Sequence, residues 1–476
     1  MYSIRPDYRQ YNYTTTASMK AGKVDDKQNS SVQVNYAYAT NTIKDVPFNP
    51  TFAASSLRTR LNSNDEKDKY NKISKMVDKQ TRKQLDSLLK KGILLNNDSN
   101  DKSSVLDNLY KIATVQRAEG LNNVVMLKET IAILNNNYLI RQEFGDIPKN
   151  FEAEVTTAYN NTPKRPVQVP FGAAQKANIP DAVNVEHSGT CVAASEEFNL
   201  AQKMPAEFTR FVEGLSSPAM SVEKTIKLSN LADNTLDAVW LLNAFEIPYE
   251  MKDFNTAKLT FAPDKNAIIR AKIQSVDKDA DERSCVDVLM QSTLMQVGSQ
   301  QSYDTLTDTR HGKFNQNDKG LIEFEKTFTE SVLEDKNKIS VTYQTVDENA
   351  KLIGYETDMA TTKRHIVEAL DRGENVIVGY TQVDSNNVII NGHEITIVGY
   401  KTNNNGKLTF ICNDTDDGVS KPIEYSEDYL LPKIHHAALP HDIVENDVKL
   451  VENWVEGIKR YNELKKQQKE TLTKAA

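Results

Sequence analysis

Cys191 lies in the run Gly189-Thr190-Cys191-Val192-Ala193-Ala194-Ser195, and His393 opens Gly392-His393-Glu394-Ile395-Thr396-Ile397-Val398-Gly399-Tyr400. A thiol and an imidazole are the two reacting groups of acyl transfer: the thiolate attacks a carbonyl carbon and the ring moves the proton. Two devices favour the thiolate, namely the unpaired amides at a helix N-terminus and a neighbouring imidazolium. Residues 191–201 read as a helix with small residues at its start, which puts Cys191 in the first turn. Glu196 and Glu197 read as acidic residues suited to the positive end of the same helix. His393 follows a glycine and heads an apolar strand that Ile395 and Ile397 anchor.

A working imidazole needs a third group on its other ring nitrogen to hold the useful tautomer. The segment Thr409-Phe410-Ile411-Cys412-Asn413-Asp414 reads as the end of a strand antiparallel to the histidine strand. It offers an amide at Asn413 and a carboxylate at Asp414. With a side-chain period of two they face opposite ways, so only one can serve.

The other reactive residue types read as structural. Of the three cysteines, Cys285 and Cys412 sit in apolar runs and are expected in the core. His311, His365 and His441 read as surface or loop residues. His435 and His436 are adjacent on an expected strand, where neighbouring side chains point apart, so no metal is expected there. Residues 315–326 mimic an EF-hand loop, but Lys319 and Lys326 stand where ligands belong. No phosphate-binding glycine loop is present, and no cofactor is called for.

Around these residues the chain divides into four parts. Residues 1–55 are polar and aperiodic, and read as a disordered or docking segment that could act as an inhibitory leader. Residues 56–150 carry three amphipathic patterns and read as a helical accessory module. Residues 151–445 hold the cysteine and histidine, with helices expected over 207–215, 228–245, 267–276 and 321–333 and strands over 339–343, 375–380, 388–391, 395–400 and 408–412. Asn403-Asn404-Asn405-Gly406 gives the turn of a hairpin. Residues 446–476 show one apolar face and read as a C-terminal helix.

A net charge of −8 provides no basic field for phosphates, which argues against a nucleic-acid partner. No uninterrupted apolar run approaches a membrane span, so no membrane partner is expected. The first residues lack the apolar core of a signal peptide, which makes cytoplasmic the default location, with export by another route left open. Oligomeric state is not legible.

The runs around Cys191 and His393, with the strand end at Asn413 and Asp414, resemble papain-fold cysteine peptidases. They are especially similar to the bacterial branch near the bacteriocin leader (double-glycine) peptidases. The resemblance covers roughly residues 165–440 and implies an α+β papain-like fold and a thiol protease, made as a zymogen if the leader is inhibitory. It maps the orienting group onto Asn413 in the papain pattern and onto Asp414 in the bacterial one, with a slight preference for Asn413. One departure stands out. The family's oxyanion-binding glutamine would fall at Val185 or Glu186, so the Cys191 amide would act with His187 or Asn184 instead. The implied function is hydrolysis of peptide bonds in a protein or peptide substrate. The alternatives are a transglutaminase-like or deamidating acyl transferase, and a catalytically silent peptide-binding module. Acidic Glu186, Asp416 and Asp417 point to cationic substrates.

Overall fold

The structure is a computed structural model that describes residues 57–163, 188–276, 279, 281–313, 319–347, 349–416 and 418–444. The expected leader, the expected C-terminal helix, and Asn184, Val185, Glu186, His187 and Asp417 lie outside the described residues. The described chain is a mixed α+β arrangement with several antiparallel sheets.

Short polar caps cut the N-terminal half into helices. Four helices, Asn64–Met76, Lys79–Lys90, Val105–Thr114 and Asn123–Asn135, replace the three expected from the apolar spacing. The first pattern is split where the Asp78 carboxylate accepts the Thr81 amide at 2.9 Å and starts a new helix. Ser63 and Ser104 form capping boxes with Glu66 and Asp107 on the flanking helices. Their apolar faces do not close on themselves. Leu109, Ile112, Leu127 and Ile131 share one core with Val192, Phe198, Phe208 and Phe211, so these helices and the cysteine helix are packed together.

The helix Cys191–Lys203 runs through this core with nearly every side chain after the first buried. On one side it packs against the helix Cys285–Gly298, which is also buried throughout. On the other it meets the strand Ile389–Thr402, the centre of a six-stranded antiparallel sheet. That sheet runs Ile423–Ser426, Leu408–Asn413, Ile389–Thr402, Val376–Val383, Ile434–Pro440, Lys338–Thr342 from edge to edge. Alternation divides its side chains between two cores. Ile395, Ile397, Phe410 and Cys412 pack with Ile366 and Ala369 of the helix Met359–Asp371, whereas Val398 and Ile411 face the core that holds the cysteine helix.

The expected strands over 388–391 and 395–400 are one continuous strand, because Gly392 and His393 stay paired with Thr381 and Tyr380. The hairpin forms as expected: the Asn403 side chain accepts the amides of Asn405 and Lys407, and Gly406 takes φ +75°. A second sheet, Val222–Lys227 with Thr256–Phe261 and Tyr249–Met251, was not signalled by the pattern. Its inward position Lys224 is charged, and pairs with buried Glu207 at 3.4 Å.

Candidate active site

The first turn of the cysteine helix is held by a buried polar network. The Ser188 hydroxyl donates to the Gln142 carbonyl, and Ser188 and Thr190 hydroxyls lie 2.8 Å apart. Thr190 donates to Gln291 Oε1 at 2.9 Å, and its carbonyl accepts the Ala194 amide at 2.8 Å. Gly189 donates its amide to Asp308 Oδ2 at 2.8 Å. A β-carbon on Gly189 would lie 2.6 Å from Lys319 Cβ and 2.9 Å from the Lys319 carbonyl carbon, so only glycine fits under that segment. Cys191 follows as the first helical residue and, unlike the ten residues after it, stays partly exposed. The amides of such a first turn have no partner within the helix.

His393 lies within the central strand, its fifth residue rather than its first, with its ring edge-on to Tyr380 and centroids 5.7 Å apart. Its Nε2 donates to Asp414 Oδ1 at 2.7 Å, and the Cys191 thiol is close enough to act on the same imidazole. With Nε2 taken by the carboxylate, Nδ1 is the nitrogen left for the thiol. Burial disfavours the charged ring, but the Asp414 carboxylate and the Cys191 sulfur outweigh it and raise the His393 pKa well above the usual imidazole range. The reciprocal effect is that burial opposes Asp414 ionisation, while His393 and the Asp416 amide, 3.1 Å away, lower its pKa.

This geometry corrects the preference between the two neighbours at the strand end. Asp414, not Asn413, holds His393. Asn413 is the last strand residue, buried, paired with Thr396, and on the same side of the strand as Ile411. Its Nδ2 has no hydrogen-bond partner among the described residues. Asp414 lies past the ladder, where the chain can turn its carboxylate onto the ring.

Glu196 and Glu197 also differ from expectation. Both lie one turn further along and are fully buried. Burial, then Glu330 for Glu196 and Asp287 for Glu197, pushes both pKa values well above the carboxylate range. They are not the charged partners of the helix dipole. Cys285 and Cys412 are core residues with no exposed surface, as expected. His365 is likewise buried, with its Nδ1 3.0 Å from the Tyr343 hydroxyl, rather than on the surface.

Gln142 is a site residue that the spacing did not signal. Its backbone accepts from Ser188 and donates to Thr415 at 3.2 Å, and its Oε1 accepts from the Thr415 hydroxyl at 2.8 Å. It thus ties the cysteine loop to the Asp414 loop from a position far upstream, where no local motif marks it. Near it, Asp416 is exposed as a residue, but partial desolvation of its carboxylate, with Glu143 and Asp414 close by, outweighs His393 and raises its pKa to about 7.

Comparison with protein-family models, with curated proteins and with solved structures found no match for this chain. The arrangement of Cys191, His393 and Asp414 therefore stands on its own geometry.

Proposed function

We propose that the chain is a papain-like cysteine peptidase that hydrolyses peptide bonds through Cys191, with His393 as general base and Asp414 as the group that orients the ring. One observation carries this reading: His393 gives its Nε2 to the largely buried Asp414 carboxylate at 2.7 Å, and the Cys191 thiol acts on the same ring. A nucleophile, a base and an orienting group in series are the requirements of acyl transfer.

In this reading His393 takes the thiol proton and Cys191 attacks the scissile carbonyl. The imidazolium then returns the proton to the leaving amine, and water hydrolyses the thioester by the same route. Asp414 keeps the Nε2 tautomer and compensates the ring's positive charge. The Cys191 amide is the first oxyanion donor. For the second, Gln142 joins His187 and Asn184 as a candidate, because hydrogen bonds tie it to both loops and its Nε2 is engaged only at 3.4 Å by Glu143. Asp416 and Glu143 give the site an acidic edge, which favours a cationic side chain on the substrate.

The test is alkylation of the native chain by a peptidyl chloromethyl ketone, followed by peptide mapping. The reading expects Cys191 to be labelled far faster than Cys285 and Cys412, and His393→Ala to remove that advantage. Equal labelling of the three cysteines would overturn it.

A further inference from the structure

Behind the reactive histidine, on the strand Ile434–Pro440, the sheet register shifts between Ile434 and His436. A bulge of this kind breaks the alternation of side chains. His435 and His436, expected to point apart, instead bring their Nδ1 atoms to 3.1 Å of each other. Glu323, the first residue of the helix Glu323–Glu334, reaches the same point: its Oε1 lies 2.9 Å from His435 Nδ1 and 3.7 Å from His436 Nδ1.

These three separations bracket about 3.3 Å, the distance between ligands of a tetrahedral ion with bonds of ~2.0 Å. The three atoms all lie within 4.8 Å of one another. A single proton on His435 Nδ1 cannot point at both Glu323 and His436 Nδ1, and protonating both rings sets two like charges side by side. One cation on the shared side meets all three lone pairs.

The surroundings have the form of an outer ligand shell. The Thr342 hydroxyl donates to the other Glu323 oxygen, Oε2, at 3.2 Å. His436 Nε2 lies 2.9 Å from Glu394 Oε1, and Lys326 Nζ lies 3.0 Å from Glu394 Oε2. The Glu394 carboxylate stands beside the His436 ring at ion-pair distance without a formed hydrogen bond, so it contributes charge there. Gly379 makes room for that ring, since a β-carbon there would lie 2.2 Å from His436 Cε1.

We propose that Glu323, His435 and His436 form a mononuclear site for a divalent first-row transition metal, with zinc the best fit. Two imidazoles and one carboxylate suit zinc and its neighbours rather than calcium or magnesium, which prefer all-oxygen sets. The ion would fasten the start of the helix Glu323–Glu334 to the sheet strand that carries both histidines. The site is independent of the reading given for Cys191.

The test uses the tag-free full chain carrying Cys191→Ala, so that the reactive thiol cannot hold the metal. Metal-stripped protein is titrated with Co²⁺, followed by visible absorption, and then with competing Zn²⁺. One equivalent of Co²⁺ with the strong bands of tetrahedral coordination is expected, displaced by Zn²⁺, together with a raised melting temperature. His435→Ala should weaken binding by about 100-fold or more. Glu323→Gln, which keeps the shape and the Thr342 contact, should weaken it by at least about 10-fold. Absence of one-equivalent binding at micromolar metal, or binding left intact in either variant, would overturn the site.

Discussion

Asp414 Oδ1 accepts the Nε2–H of His393 at 2.7 Å, while the neighbouring Asn413 is buried on the same side of its strand as Ile411. Two residues adjacent in sequence thus have separate tasks. One sets the charge and tautomer of the His393 ring, and the other fills the core under the cysteine helix.

The first prediction separates those tasks. Asp414→Asn should lower kcat/KM by on the order of 10²-fold or more, with little loss of fold, because the ring loses its orienting charge. Asn413→Ala should instead lower the urea midpoint and leave kcat within a few-fold. The reverse pattern, with Asn413 carrying the activity, would contradict the assignment.

The His393–Asp414 pair also predicts a pH dependence of stability. The ring's pKa is raised in the folded chain, so its contribution is full below about pH 6.5 and fades as pH rises through the raised value. The Asp414 pKa is lowered, so its contribution is present above about pH 3.9 and fades as pH falls through the lowered value. The stability gap between wild type and Asp414→Asn should therefore be widest between about pH 4 and 6.5 and shrink at alkaline pH. Urea unfolding at a series of pH values measures it; a gap that is constant to pH 10 contradicts the coupling.

Gln142→Ala tests the oxyanion assignment. Loss of one donor typically costs about 10²–10³-fold in kcat, with KM little changed. Paired measurements on Gln142→Ala and His187→Ala identify the donor, which is the variant with the kcat-selective loss. A Gln142→Ala variant that loses stability but keeps kcat assigns this residue only to the junction of the two loops.

Gly189→Ala should be damaging although it touches no substrate. The added carbon meets Lys319, including its backbone, and must move the loop that presents Cys191. A displacement near 1 Å at the nucleophile costs on the order of 10²-fold in rate. The loss should fall on kcat and on the rate of Cys191 alkylation together, and unchanged alkylation would refute this cause.

That Cys191 and His393 come together was legible in the sequence because the local signals agree. Small residues after Gly189 start a helix at Cys191, and an apolar run with a good hairpin turn fixes the strand of His393. The choice between Asn413 and Asp414 was not legible, since it depends on where the ladder ends, and a period of two says only that the pair diverge. The imidazoles at 435 and 436 were misread for a related reason: a bulge breaks the alternation that the reading assumed. The sheet at Val222–Lys227 was hidden by Lys224, whose charge is matched by Glu207 on the preceding helix, Pro205–Leu215. Glu196 and Glu197 look like dipole partners by position alone, and only three-dimensional burial reveals otherwise. Gln142 had no signal, because its role comes from bonds to Ser188 and Thr415 across the fold.

The most direct test of the central claim is a peptide library incubated with the full chain, with Cys191→Ala and with His393→Ala, and read by mass spectrometry. Cleavage products from the wild type, absent or reduced by about 10³-fold or more in both variants, are the predicted result. Products that are the same with and without the Cys191 thiol, or no cleavage by any of the three proteins, would contradict it.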